Sequence, residues 1–237
     1  MRITASFDRS YEALAIRIPP KVAGRLDTRR PQYSRSWGGP LNGQHHRREM
    51  VREIAREFRP AHVVETGTYR GTSTEFFSAV FGVPIDTAEA SERYYEYSAR
   101  RLAGDNAITV HRGDSRGFLS RLASRADNDR PTFFYLDAHW NDDLPLAEEL
   151  QIISSTWRRS IVMIDDFQVP DDPGYAYDDY GSGKALVPSY LPGAVDAWSR
   201  RYPSAPSGEE TGARRGSCLL FTPDIDTSDY TTVRSIT

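Results

Sequence analysis

"TFFYLDAHW", residues 132–140, carries four apolar or aromatic residues in a row before it reaches Asp137. A strand this apolar on both alternating faces belongs inside a sheet that is covered on both sides, the condition of a parallel α/β sheet. "SIVMIDDF", residues 160–167, repeats the pattern and ends on Asp165 and Asp166. Between them, "LPLAEELQIISSTW" has helical spacing. One strand–helix–strand unit is therefore legible from a few dozen residues.

The alternation continues on either side. "REMVREIAREFRP" places Met50, Val51, Ile54, Ala55 and Phe58 on one helical face, and Pro60 stops it. "HVVETG" is a short strand, and "STEFFSAVFG" a helix closed by Gly82. "PIDTAEA" is a weaker strand. "SERYYEYSARRLAG" is a helix with Ser91 at its N-cap and Gly104 past its end. "AITVHRGDS" is a strand and "RGFLSRLASRA" a helix. Helices near residues 190–202 and a strand at "SCLLFTP" complete the expected domain. Strands alternating with helices imply an α/β protein with a parallel sheet covered on both faces. Residues 1–45, rich in Arg, Pro, Gly and Ser without a clear period, read either as an arm folded over a domain of residues 46–237 or as a partly mobile N-terminus.

Bulk properties exclude several classes. The net charge of −3 offers no basic field for nucleic acid. No apolar run approaches 18 residues, so no membrane partner is expected. Cys218 is the single cysteine, which rules out an internal disulfide or a cysteine metal cluster. The first twenty residues lack the apolar stretch of a signal peptide, so a cytoplasmic location is expected.

In parallel sheets, ligands bind beyond the carboxyl ends of the strands. Gly67 and Gly71 flank the turn after the first strand, where small residues let a ligand approach backbone and a helix N-terminus offers N–H groups. Glu89 ends the second strand and suits a ribose diol; Asp86, inside the strand, suits it less. Asp114 and Ser115 follow the third strand, where they could meet an adenine edge or cap the next helix. Asp137, Asp165 and Asp166 end two strands that should be neighbours about 4.8 Å apart. Three carboxylates so close repel one another unless a cation joins them, and an all-oxygen site suits Mg²⁺, with Ca²⁺ and Mn²⁺ as alternatives. His139, two residues beyond Asp137, is a candidate general base, and Trp140 a candidate pocket wall. His45 and His46 lie near the pocket if the arm folds over it, whereas His62 and His111 read as structural. "NDD" at 141–143 is either solvated loop or a sugar-nucleotide carboxylate motif. The loop "DDPGYAYDDYGSGKALVPSY" (171–190) is either a lid, with Asp178, Asp179 and Tyr180 at the substrate, or a plain surface connection.

"GQHHRREMVREIAREFRPAHVVETGTYRGTST" resembles the start of class I S-adenosylmethionine-dependent methyltransferases, in particular the metal-dependent O-methyltransferases. The catechol O-methyltransferase type also reads E-x-G-x-Y-x-G-x-S there. "LDAHW" followed by the acidic pair is similar to that type's metal-site spacing. The pair itself is closer to the Mg²⁺-dependent sugar O-methyltransferases of antibiotic pathways. The resemblance spans roughly residues 40–170. It implies a Rossmann-like, doubly wound, mostly parallel seven-stranded sheet with helices on both faces. It implies S-adenosylmethionine as cofactor, a divalent cation, and a small-molecule hydroxyl acceptor such as a sugar, phenol or polyketide. It assigns Glu65, Gly67, Tyr69, Gly71 and Ser73 to the methionine loop, Glu89 to the ribose, and Asp114 and Ser115 to adenine. It brings Asp137 and Trp140 to the cofactor as well, with Asp137, Asp165 and Asp166 on the metal and His139 as base. The catechol type has a catalytic lysine where Asn141 stands, and Ala138 is an extra residue before the histidine.

Rival readings are an NAD-dependent oxidoreductase, opposed by the missing G-x-G-x-x-G, and a metal-dependent sugar-nucleotide transferase using "NDD". A binding protein that keeps the fold without turnover is the non-enzymatic alternative. Self-association into a homo-oligomer stays open.

Overall fold

The computed structural model describes residues 11–236 apart from 126, 128, 140–142 and 182. Five parallel strands form its centre: β1 (His62–Thr66), β2 (Ile85–Glu89), β3 (Ile108–Arg112), β4 (Thr132–Leu136) and β5 (Ser160–Asp165). Helices fill the connections: α1 (Pro20–Asp27) and α2 (His45–Glu57) precede β1, and α3 (Thr72–Phe81), α4 (Glu92–Leu102), α5 (Ser115–Ala123) and α6 (Leu146–Thr156) link successive strands. Strands β6 (Ser199–Pro203), β7 (Ser217–Phe221) and the two-residue β8 (Val233–Arg234) complete the sheet, in the order β3-β2-β1-β4-β5-β7-β6-β8.

Strand β4 shows why the sheet needs cover on both sides. Successive side chains point to opposite faces. Phe133 and Tyr135 therefore join Met50, Val51 and Ile54 of α2 and Phe77 of α3 in one core layer. Phe134 and Leu136 join Phe118 and Leu119 of α5 and Leu150 and Ile153 of α6 in the other. Each such side chain contributes about 1.5–3 kcal/mol on leaving water. Among the described residues, no helix is long and apolar enough to cross a membrane.

Two expectations are corrected. The sheet has eight strands rather than seven, through the short β8 pairing on the β6 edge. The segment expected as helix near 190–202 holds only short 3-10 turns, at Pro188–Tyr190 and Gly193–Val195, and then β6. "SRRYP" has no strand pattern of its own. Its ladder partners are Leu219–Phe221 of β7, so the pairing is set by contacts distant in sequence.

The arm is docked. Helix α1 packs on α4 so closely that a Cβ at Gly24 would lie 2.3 Å from the Arg93 carbonyl oxygen. Arg93 binds Asp27 of α1 and Glu12, and the Arg70 guanidinium stacks 3.5 Å from the Tyr33 ring centroid. This fixes the following turns, residues 37–43, above the carboxyl ends of the central strands.

Candidate functional site

The strand order reverses between β1 and β4, and a cleft open to solvent lies at that switch point. Glu65, Gly67, Tyr69 and Ser73 line one side, with Asp137 opposite and Trp37, Gly39 and Asn42 of the arm above. Gly67 is required: its φ is +86°, and a Cβ there would lie 2.1 Å from the Asp137 carbonyl oxygen. Tyr69 takes a left-handed φ of 47° and packs edge-on against Tyr94. The arm is tied to this loop by Leu41 N–H donating to Ser73 Oγ at 3.1 Å.

Two buried carboxylates hold the loop. Glu89 accepts from Tyr69 N–H and Ser91 N–H, each at 2.7 Å, and burial raises its pKa. The Ala90 N–H also reaches it, and of a carboxylate's roughly four acceptor sites some capacity remains for a ligand. Glu65 accepts from the hydroxyls of Thr74 and Thr87 on one oxygen, Oε2. Burial pushes its pKa up to about 7 against those two bonds.

Beyond Asp137 lies an acidic cluster. One ligand-capable atom each from Asp137, His139 and Asp166 lies within 4.8 Å of the others. His139 is 8% exposed, and its Nε2 has no hydrogen-bond partner. That nitrogen sits 3.8 Å from Asp137 Oδ1, 3.8 Å from Asp166 Oδ2 and 3.6 Å from Asp178 Oδ2, all beyond hydrogen-bonding length. Burial lowers the imidazole pKa, but Asp166, Asp165 and Asp178 outweigh it and the net shift is upward. Burial raises the Asp137 pKa, and repulsion from Asp165 and Asp166 takes it well above the usual carboxylate range. Asp166 is held down at about 2: burial opposes its charge, and His139 and Arg215 more than compensate.

Solved structures with a similar architecture include O-methyltransferases. TomG from Streptomyces achromogenes, an O-methyltransferase involved in tomaymycin synthesis and bound to SAM, superposes with a TM-score of 0.55 at 16% identity, over 74% of this chain and 79% of that one. The O-methyltransferase from Bacillus cereus in complex with SAH gives 0.54 at 15% identity, over 74% and 80%. Cofactor-bound Rv0187 from MTB gives 0.54 at 16% identity, over 88% and 92%. The fold is the one these structures share. No protein-family model matches the chain, and no curated protein does.

On this methyltransferase fold, the residues singled out from sequence divide. Glu65, Gly67, Tyr69, Ser73 and Asp137 line the cleft; Gly71 opens α3 with a φ of 70°; Glu89 stands behind the loop. Asp114 caps α5, accepting from Arg116 N–H and Gly117 N–H, and Ser115 is buried beside it. Trp140, Asn141 and Asp142 lie outside the described residues. His62 and His111 both bond Asp86, at 2.8 and 2.6 Å, which gives all three a structural place. His45 and His46 open α2, away from the residues that line the cleft.

The expected trio of aspartates does not share one point. Asp166 joins Asp137 and His139, but Asp165 turns to the opposite face of the sheet. There it pairs with Arg47 and accepts from the Tyr135 hydroxyl, all three buried. Burial lowers the Arg47 pKa, Asp165 raises it, and the net shift is upward. Arg47 was not apparent from sequence because it reads as one more surface arginine of an amphipathic helix. Arg215 was also missed. It binds Asp166 Oδ1 at 2.7 Å and Asp178, while Gln44 brackets its backbone N–H and C=O.

Proposed function

We propose that this chain is a divalent-metal-dependent O-methyltransferase that moves a methyl group from S-adenosylmethionine to a hydroxyl of a small molecule, of the sugar, phenol or polyketide type. One observation carries the reading: Asp137 belongs to both halves of the site. Its carbonyl oxygen closes on Gly67 in the cleft, and its carboxylate belongs to the acidic cluster. Donor and acceptor sites therefore adjoin across a single residue.

The residues fit the cofactor. Gly67 leaves room where any side chain would collide with Asp137. Glu65 has one oxygen free of its threonine bonds and suits a cationic amino group. Glu89 has acceptor capacity left for ribose hydroxyls. The cluster fits a cation, because His139 keeps a buried nitrogen without a partner among carboxylates that repel one another. A divalent ion there supplies a Lewis acid that lowers the pKa of a hydroxyl beside it. Asp137 and Asp166 would hold that ion, and Trp37, Gly39 and Asn42 of the arm would keep water from the donor side. Methyl transfer forms an oxygen–carbon bond as the sulfur–carbon bond breaks, with the proton passing to solvent. Much of the rate would come from holding oxygen and methyl group at attack distance.

Calorimetry with S-adenosylhomocysteine and with NAD tests the cofactor: binding of the first alone is expected, and binding of NAD alone would overturn the assignment. A panel of hydroxyl acceptors assayed with S-adenosylmethionine, with and without chelator, tests the chemistry. Turnover that survives full chelation removes the metal from the proposal.

A further inference from the structure

We propose that His139 is a ligand of the cation rather than the base, that Asp178 is a further ligand, and that the site therefore selects a transition ion such as Mn²⁺, Fe²⁺, Co²⁺ or Zn²⁺ over Mg²⁺. This rests on the metal-dependent reading above and says which ion and which ligands.

Atoms of Asp137, His139 and Asp166 converge within 4.8 Å of one another, and Asp178 approaches the same histidine. Asp137 Oδ1, Asp166 Oδ2 and Asp178 Oδ2 surround His139 Nε2 at 3.8, 3.8 and 3.6 Å. Ligands about 2.0–2.2 Å from one small cation stand roughly 3–3.6 Å from each other, so His139 must close on each carboxylate by only a few tenths of an ångström, while Asp178, outside the set that lies mutually within 4.8 Å, must move further toward Asp137 and Asp166. A general base needs a lone pair facing its substrate, but this nitrogen is walled by three carboxylates and has no proton partner. Imidazole suits zinc, iron and their neighbours, whereas Mg²⁺ prefers oxygen alone.

Asp178 is built into place. Its N–H donates to the Asp166 carbonyl at 3.0 Å, and its carbonyl accepts from Leu186 N–H at 2.9 Å. The chain around it forms a small hairpin, with Asp179 bridged to Ala185 and Tyr180 N–H donating to the Lys184 carbonyl. Arg215 orients the oxygens. It takes Oδ1 of both Asp166 and Asp178, which leaves Oδ2 of each toward His139. The Tyr180 hydroxyl donates to Asp178 Oδ2 at 2.6 Å and supports it from behind. Such outer partners hold ligand orientation in metal sites. With an ion bound and its ligands deprotonated, the three aspartates carry −3, Arg215 returns +1, and a divalent ion balances the remainder.

The test uses Mn²⁺ alone as the probe, added to the full chain after chelator treatment. Calorimetry gives affinity and stoichiometry, and pulsed electron paramagnetic resonance reports a directly bound imidazole nitrogen. The expected result is one Mn²⁺ per chain with nitrogen coupling, bound at least tenfold more tightly than Mg²⁺. His139→Gln should remove the coupling. Asp178→Asn, which keeps the shape of the side chain, should weaken Mn²⁺ about 10–100-fold while the coupling persists. Mn²⁺ bound without nitrogen coupling, or unchanged affinity in Asp178→Asn, overturns this inference and leaves metal-dependent methyl transfer standing. Absence of any divalent binding overturns both.

Discussion

At the end of β5 the chain turns two consecutive carboxylates to opposite sides. Asp165 goes under the sheet to Arg47 and the Tyr135 hydroxyl, sealed from solvent. Asp166, in a left-handed conformation with φ of 51°, goes to the open side with His139 and Arg215. The same residue type thus does two jobs. On the closed side, charge is cancelled by a fixed partner and the result is structural. On the open side, Arg215 binds Asp166 and Asp178 but not Asp137, and the acidic surplus can take a ligand.

Removing the closed carboxylate should have the largest effect. Asp165→Ala strands the Arg47 guanidinium in the core, and breaking a buried pair in this way costs about 3–5 kcal/mol. Urea unfolding measures it. A loss below 1 kcal/mol would mean that Arg47 finds water, and the closed side would not be closed.

Glu65 sharpens the contrast, because it is buried with hydroxyl partners and no cation. Its pKa rises from 4.5 to about 7 in the fold. A raised carboxylate favours the fold while protonated, so its contribution is full below pH 4.5 and lost as pH rises toward 7. The loss is at most about 3 kcal/mol. Unfolding free energies of the cofactor-free protein between pH 4.5 and 7.5 should therefore fall more steeply in the wild type than in Glu65→Gln. Parallel curves would show that Glu65 keeps its charge through other means.

Asp166→Asn should have the smallest effect on stability, about 2 kcal/mol, the linkage cost of a carboxylate held at about 2 rather than 3.8, since asparagine keeps the side chain's shape and tolerates positive φ. Its divalent-ion affinity, followed by calorimetry, should still fall at least tenfold, as expected on loss of a direct ligand. A variant that is strongly destabilised yet binds the ion normally would reverse the roles of the two aspartates.

Much of this was legible in one dimension. The apolar runs of β4 and β5 dictated a doubly covered sheet. The glycines after β1 marked the cleft, because only small residues suit a backbone held against Asp137. Segments whose partners lie far away were not legible. Strand β6 takes its ladder from β7, and β8 takes its ladder from β6. Arg47 and Arg215 look like solvent-facing arginines until α2 and β7 are packed beside β5. Asp178, read from sequence as part of either a lid or a plain surface connection, is tied to Asp166 by a small hairpin and faces His139.

The sequence by itself determined which edge of the sheet would be reactive, because parallel strands bring every carboxyl end to one side. It also determined that carboxylates and an imidazole would gather there. Only the tertiary structure decided their allegiance. Alternation across the sheet sent Asp165 to one face, and a left-handed residue turned Asp166 to the other. Contacts spanning most of the chain, Arg47 with Asp165 and Arg215 with Asp166 and Asp178, then settled which charges were already cancelled and which were left for a ligand.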